Sequence, residues 1–561
     1  MDNDEKNSLA ESGFETDTEV ATRGERSSSF VKQAAVLGGA SLFVRLMGFV
    51  YRVPFTRLIG DEFNAFYGLS YQVYVVVLNL TSVFMITAIS RLTSERIALG
   101  RFRDAHTLFK TAMIFSVCLG TVGSLVMFFG ADILAHFLQS LEDTENASSA
   151  AYAIRAISPA VFIVSMLTVL RGYFQGMKTA FPTAISQVVE QIFKISFSLW
   201  LAFLFFDAAN VSSSVHLSAA GATAGTAIAA LAALVVVVII YAMNAKALKT
   251  RVADDPTESR EKRSTQLAAI IRTGLPIMVG LFVFSFIGLL DIRMANNRLA
   301  VSGAFSASEI NVLVGQFTGK FVLLTTLPIA LSMALSAAVI PEITAAHVTN
   351  DKKAVRQKTN LSLRLSMMLS FPATIGLAVL ADPIIEMLFP LHPEGGRLLQ
   401  YGAISIVFLA IVHVVTGVLQ GVGRVKIPII GVIIGVVVKI PLNHFLLAIP
   451  EINILGAVIS TIACFAVAAA INLFFLRRFT GIFPDYKSTF LKPLLASAGM
   501  GVVCFVVYNL MRLFTSNLVS TLTTLMFAIF AYVGLMVLIK GFGERELEML
   551  PIPGKVRRWL G

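Results

Sequence analysis

The sequence predicts an all-α membrane protein of fourteen transmembrane helices, arranged as two six-helix lobes in a parallel repeat plus two extra C-terminal helices. The first observation behind this prediction is composition. Of the 561 residues, 56% are hydrophobic and only 14% are charged, and the mean hydropathy is +0.78. Soluble domains carry about 25% charged residues, so this chain lacks the polar surface that water requires. The composition therefore excludes the soluble globular class.

The second observation is the number of long apolar runs. A helix needs roughly 20 apolar residues to cross a bilayer. Runs of that kind occur near residues 33–54, 66–90, 108–129, 153–174, 183–206, 218–243, 268–292, 311–340, 359–381, 399–420, 428–449, 453–476, 490–510 and 517–540. These fourteen runs are the predicted membrane spans.

The third observation is the distribution of Lys and Arg. When successive loops are assigned to alternate sides, 34 of the 45 basic residues fall on one side, five on the other and six inside spans. The positive-inside rule then predicts that both termini lie in the cytoplasm and that the protein is a multi-pass protein of the cytoplasmic membrane. Because the basic residues lie in short clusters between apolar runs, their pattern argues against a nucleic-acid partner.

These patterns divide the chain into six predicted segments. They are a disordered cytoplasmic tail (1–29), an N-lobe of six helices (30–244), a cytoplasmic linker (245–267), a C-lobe of six helices (268–476), the two extra helices (477–540) and a basic cytoplasmic tail (541–561). The first tail is polar and has no apolar core, which is unlike a signal peptide.

An internal repeat relates the two lobes. Gln175-Gly176 aligns with Gln420-Gly421, and Lys194-Ile195 aligns with Lys439-Ile440, each pair 245 residues apart. An even number of spans separates the copies, so both halves have the same orientation. Parallel repeats of this kind are typical of transporters that hold a substrate between two lobes.

Ionisable residues inside spans are costly and usually face a wet cavity or a partner. Here they are mostly cations, which predicts a cationic cavity between the lobes. Such a cavity suits a diphosphate, because Arg binds phosphate bidentately and Lys meets it as a point charge. The predicted substrate-binding residues are Arg45, Arg52, Arg293, Lys194, Lys320 and Lys439, and the predicted ion-coupling residues are Glu190 and Asp291.

Two alternatives stay open for these residues. Arg52 and Arg293 could lie at the outer interface and snorkel. Glu190 and Lys194, four residues apart on a helix, could neutralise each other. Nucleotide binding at Gly315–Lys320 is excluded, since three residues rather than four separate the glycines and no Ser or Thr follows the lysine. The three cysteines stand singly in apolar runs, so no pair has the spacing of metal ligands. The sequence predicts no metal, no cofactor and no catalytic residue.

The segment that begins Arg45-Leu-Met-Gly-Phe-Val-Tyr-Arg52 and continues to Asn64-Ala-Phe-Tyr67 resembles the first helix and loop of the SpoVB/YtgP group of polysaccharide exporters. That group belongs to the MOP superfamily, beside the MurJ lipid II flippases. The resemblance implies a MOP/MATE-like fold with a central cationic cavity and alternating access, in which Arg45 matches an important arginine of the first helix. The chain departs from the flippases at Asn64, where they carry an aspartate.

The cationic cavity and this resemblance predict a transporter that flips an undecaprenyl-diphosphate-linked cell-wall precursor, with lipid II as the expected cargo. The alternatives are export of another lipid-linked polysaccharide unit, a role in the spore cortex, and a MATE-type drug or cation antiporter. An enzyme acting on lipid carriers is disfavoured, because the outer loops are short. The expected partners are the lipid-linked substrate, membrane lipids and the cell-wall synthesis machinery. The energy source stays open among membrane potential, protons and sodium.

Overall fold

The computed structural model describes residues 40, 43–44, 47–48, 51–57, 59–139, 144–207, 210–253, 255, 261–424, 426–481 and 484–542, with the side chains of 144–146, 211–213, 337–338 and 341 excepted. All secondary structure in this part of the chain is helical. The two predicted tails and most of the first predicted span, including Arg45, lie outside the described residues, apart from 541–542 of the second tail.

Among the described residues of the first half, the first continuous helical segment, α1, covers residues 51–57. The others are α2 (Asp61–Leu78), α3 (Phe84–Ala98), α4 (Phe102–Phe129), α5 (Ala131–Leu138), α6 (Thr144–Gly176), α7 (Phe181–Leu204) and α8 (Val211–Ala253). A π-helical turn, Asn79–Val83, joins α2 to α3 into one long span.

The second half and the C-terminal pair continue the bundle. Their helices are α9 (Arg263–Val301), α10 (Ala307–Gln316), α11 (Val322–Val348), α12 (Lys352–Val379), α13 (Ala381–Leu388), α14 (Gly396–Gly402), α15 (Ser405–Gly421), α16 (Lys426–Leu446), α17 (Leu455–Thr480), α18 (Lys492–Arg512) and α19 (Asn517–Leu538). A second π-helical turn, Phe317–Phe321, joins α10 to α11. A third, Lys487–Leu491, leads into α18.

Twelve described helices are long and apolar enough to cross a membrane, and the pair α14 and α15, bent by 48°, makes a thirteenth. The remaining predicted span is the one near 33–54, so the number fourteen stays a prediction. Large apolar side chains such as Trp200, Phe505 and Phe530 are exposed on the outside of the bundle. In water this surface would be unstable, whereas in a bilayer it contacts lipid. The protein is thus a multi-span membrane protein.

Helical structure extends into the segment predicted as a cytoplasmic linker. Helix α8 runs to Ala253 and α9 begins at Arg263, so most of residues 245–267 is helical. Alanine, leucine and lysine, which favour helix, predominate in 245–249 and extend α8 beyond its apolar run. Glu261 then accepts hydrogen bonds from Arg96 at 2.6 Å and forms an ion pair with Arg101 at 3.1 Å. These contacts tie the connection to the loop between α3 and α4.

The two halves meet closely where α2 and α10 pack together, at the end of the bundle that contains Asp61, which we call the Asp61 end. Gly68, Gly315 and Gly319 form a glycine seam along this contact. A Cβ atom on Gly315 would lie 1.8 Å from the backbone oxygen of Asp61, and one on Gly319 would lie 2.4 Å from the Asn64 side chain. Only glycine permits this approach, and the seam closes the Asp61 end.

The Gly315→Ala variant is therefore expected to lower the free energy of unfolding by roughly 1–3 kcal/mol, the usual range for overpacking. The added methyl group would have to push α10 away from the α2 backbone. Thermal denaturation in detergent would measure the change. Gly534→Ala in α19 is the control, because a Cβ atom added there would meet nothing within 4 Å, and alanine favours helix. Equal midpoints for the two variants would contradict the close packing of the seam.

Candidate functional site: a central cavity between the two halves

A cavity of about 580 Å³ lies between the two halves of the bundle. Its volume is within the range of about 300–1,000 Å³ that is usual for small-molecule sites. The first half contributes residues of α1, α2 and α7 to its wall, among them Arg52, Tyr71 and Lys194. The second half contributes residues of α9, α11, α15, α16 and α17, including Asp291 and Lys439. The cavity is where the sequence predicts a substrate site.

Arg52 lies on the first-half wall, beside tyrosine rings. Its guanidinium carbon is 5.2 Å from the centre of the Tyr67 ring and 5.7 Å from that of Tyr71. Among the described residues no acidic side chain lies within ion-pair distance of it. Cation–π contacts with tyrosine stabilise the charge only partly. Arg52 is thus an uncompensated cation facing the cavity.

Lys194 occupies the same wall and shares the same aromatic neighbours. Its Nζ atom lies 4.4 Å from the centre of the Tyr71 ring and donates a hydrogen bond of 3.4 Å to the Tyr71 hydroxyl. The hydroxyls of Tyr51 and Tyr67 are hydrogen-bonded to each other at 2.8 Å behind this pair. Like Arg52, Lys194 has no carboxylate partner among the described residues. The wall therefore presents two positive charges on a base of four neutral rings, Tyr51, Tyr67, Tyr71 and Tyr74.

The opposite wall carries a neutralised pair. Lys439 donates to Asp291 Oδ2 and to Thr461 Oγ1, both at 2.7 Å, and its side chain is fully buried. Asn443 Nδ2 donates to the second oxygen of Asp291 at 2.9 Å. Because the positive charge of Lys439 is paired with the negative charge of Asp291, this wall adds little net charge to the cavity. The two walls therefore differ, although Lys194 and Lys439 are matched in the repeat.

Lys320 does not line the cavity. Its Nζ atom donates to Asp61 Oδ2 at 2.7 Å, to the His392 carbonyl at 2.7 Å and to the Glu394 carbonyl at 2.9 Å. The Lys320 and Asp61 side chains are 0% and 3% exposed. This ion pair joins α2 to the second π-helical turn beside the glycine seam, so Lys320 connects the two halves at the Asp61 end.

Two further predicted residues also lie outside the cavity wall. The Arg293 guanidinium donates to the Phe137 carbonyl and stacks 3.6 Å from the centre of the Phe137 ring. Glu190 accepts a hydrogen bond of 2.8 Å from Arg171. Among the described ion pairs, Glu190 therefore pairs with Arg171 and not with Lys194.

The sequence analysis missed the tyrosine base and the Asp61 partner of Lys320. Tyr67 and Tyr71 are four residues apart on α2, a spacing that places them on one helix face. An aromatic pair at this spacing beside Arg52 was a readable signal. Asp61 gave none, because it lies at a span boundary and its partner is 259 residues away.

Comparisons with known proteins agree with this architecture. Residues 30–347 match the family model described as polysaccharide biosynthesis protein, and residues 276–445 match the MatE model. The chain is 25% identical to the lipid II flippase MurJ of Bacillus subtilis (strain 168), over 87% of this chain and 90% of that protein. It is 24% identical to stage V sporulation protein B of the same strain, over 94% and 99%.

A solved structure of a lipid II flippase MurJ in an inward closed conformation has a similar fold. The TM-score is 0.66 at 15% sequence identity, and the alignment covers 90% of this chain and 98% of that one. The family model with its description covers more than half of the chain. The protein is therefore a member of the polysaccharide biosynthesis protein family, with the fold of the MOP-superfamily exporters.

Proposed function

We propose that the protein flips a diphosphate-linked polysaccharide precursor from the inner to the outer leaflet of the cytoplasmic membrane, with lipid II as the first candidate. The observation that carries this proposal is the pair Arg52 and Lys194, two cations that face a cavity and have no carboxylate partner among the described residues. The similarity to a protein named lipid II flippase supports the choice of cargo.

The geometry suits a diphosphate head group. A guanidinium can bind two phosphate oxygens at once, and a nearby ammonium can neutralise the remaining charge. In a cavity with few competing charges these contacts are stronger than in water. The polyprenyl tail would remain in the bilayer, since its transfer into a polar cavity is unfavourable.

The closed Asp61 end supports alternating access as the mechanism. If both termini lie in the cytoplasm, as the sequence predicts, the Asp61 end faces outward and the proposed cavity is closed to the outside. Release of the head group then requires α2 and α10 to separate along the glycine seam. Because the Lys320–Asp61 ion pair spans the same boundary, it must break or move with one half during transport.

Asp291 is the stronger of the two candidates for ion coupling, since it lines the cavity whereas Glu190 does not. We expect Asp291→Asn to abolish the dependence of the transport rate on a proton or sodium gradient. The asparagine side chain is neutral, so it cannot bind a proton or a sodium ion in place of the Lys439 ammonium. Transport into vesicles with imposed gradients would measure this. Glu190→Gln serves as the matched control, and a normal gradient response of Asp291→Asn would refute the assignment.

A MATE-type antiporter for organic cations fits the cavity less well. Such a site needs an available carboxylate. The acidic residue on the described wall is Asp291, and it is bonded to Lys439 and Asn443. The charges of the described cavity wall therefore favour an anion over an organic cation.

Head-group translocation in cells depleted of their own lipid II flippase tests the proposal. Expression of the protein is expected to restore the appearance of lipid II on the outer leaflet. Translocation of a wall teichoic acid precursor is measured in parallel, to show which of the two lipids the protein carries. Restored transport of the teichoic acid precursor alone would assign the other lipid-linked substrate. Failure with both precursors, in cells that contain the inserted protein, would overturn the proposal.

A further inference from the structure

Gln191 is a cavity residue whose side chain has an unused hydrogen-bond donor. It lies on α7, three residues before Lys194, so the two side chains share one helix face. The residue is 8% exposed and belongs to the cavity wall. Its Nε2 atom has no hydrogen-bond partner among the described residues. Gly48, which also lines the cavity, lies close by, since a Cβ atom added to it would be 3.6 Å from Nε2.

A buried polar atom without a partner is rare in a folded protein, because its desolvation is not compensated. The internal repeat has no amide at the matched position. The residue three positions before Lys439 is Val436, so the second half carries an aliphatic side chain at the matched position. Valine leaves no donor unpaired. The unpaired amide of Gln191 is thus a feature of the first half that the matched position of the second half lacks.

We propose that Gln191 recognises the sugar that is joined to the diphosphate, by donating a hydrogen bond from Nε2 to a hydroxyl or carbonyl oxygen of that sugar. The inference rests on the proposed function, since Arg52 and Lys194 hold the phosphates on the same wall. A neutral donor one helical turn from the ammonium reaches the part of the head group next to the charge. Arg52 and Lys194 provide affinity for any lipid diphosphate, and Gln191 distinguishes a sugar-bearing lipid from the bare carrier.

This division of roles has a chemical basis. A site built to hydrogen-bond a ligand discriminates strongly against an analogue that lacks the acceptor, because the buried donor is then left unpaired. Charge alone gives no such discrimination between two diphosphate diesters, since both carry the same two negative charges. The difference in affinity between the two lipids is therefore the quantity that reports on Gln191.

The test uses the purified full-length protein in detergent and two diphosphate diesters as probes, the methyl ester of undecaprenyl diphosphate and undecaprenyl diphosphate bearing one N-acetylated amino sugar. The wild-type protein is expected to bind the sugar-bearing lipid roughly tenfold more tightly, the effect of one hydrogen bond. Gln191→Leu is expected to abolish this ratio without changing the affinity for the methyl ester. Gln191→Val, which copies Val436, should give the same result and guards against a packing effect of leucine.

Two control variants separate an effect on sugar recognition from a general change in lipid binding. Arg52→Ala should weaken the binding of both lipids, whereas Gln175→Leu, a glutamine substitution at the end of α6 outside the cavity wall, should change neither. A tenfold preference that persists in both Gln191 variants would overturn the inference and leave the proposed function intact. If the wild-type protein binds neither lipid, the proposed function fails and the inference fails with it.

Discussion

Alanine in place of Arg52 or Lys194 is expected to slow the growth of cells that depend on this protein for lipid II flipping. Each substitution removes a charge-assisted contact worth about 1.5–3 kcal/mol, which corresponds to a roughly tenfold to hundredfold loss of affinity. The Arg52→Ala/Lys194→Ala double variant removes both uncompensated charges and should show the larger loss. Growth after depletion of the native flippase is the measurement.

The control for this prediction is an arginine of similar size outside the cavity. Arg155, in the first half of α6, forms an ion pair with Asp132, and the two side chains are 33% and 54% exposed. Arg155→Ala should therefore support normal growth. Immunoblots of the membrane fraction would show that all variants insert. Normal growth of cells that carry the double variant would exclude the head-group site proposed here.

The Lys320→Met variant is expected to lower the free energy of unfolding by about 3–5 kcal/mol, the usual effect of removing one partner of a buried ion pair. Asp61 would remain buried with no countercharge, and the His392 and Glu394 carbonyls would lose their donor. Because this pair joins the two halves, the loss should appear in the main unfolding transition. Thermal denaturation in detergent would measure it.

A second variant separates the charge from the volume of the side chain. Asp61→Leu combined with Lys320→Met leaves no unpaired charge, so most of the stability should return. Lys358→Met is the control, because Lys358 and Glu342 form a 3.3 Å pair whose side chains are 35% and 59% exposed, and such pairs contribute less than about 1 kcal/mol. A double variant as unstable as Lys320→Met alone would contradict this account.

The sequence was sufficient to predict the membrane class and most of the spans, because hydropathy is a local property of the chain. It did not reveal the short helices α5 and α13, which follow the spans α4 and α12 directly. Their eight residues are too few to stand out from the adjacent apolar run. Hydropathy also did not reveal that α8 continues beyond its apolar run, since polar helix formers extend a helix without adding hydropathy.

The site was predicted less completely than the fold. Composition indicated an excess of cations, but Arg52, Lys194, Lys320 and Lys439 look alike in sequence. Their surroundings differ because Lys320 meets Asp61 and Lys439 meets Asp291 through contacts 259 and 148 residues apart in the chain. Tertiary packing alone decides which cation is neutralised. The repeat made Lys194 and Lys439 appear equivalent, whereas the structure places tyrosines beside one and a carboxylate beside the other.

A structure of the protein bound to a lipid diphosphate would test the central point most directly. We expect phosphate oxygens about 2.7–2.9 Å from the Arg52 guanidinium and the Lys194 ammonium, with the Lys439–Asp291 pair still intact on the facing wall. A head group bound instead at Lys439, or outside the cavity while Arg52 and Lys194 still contact only the tyrosine rings, would contradict the assignment.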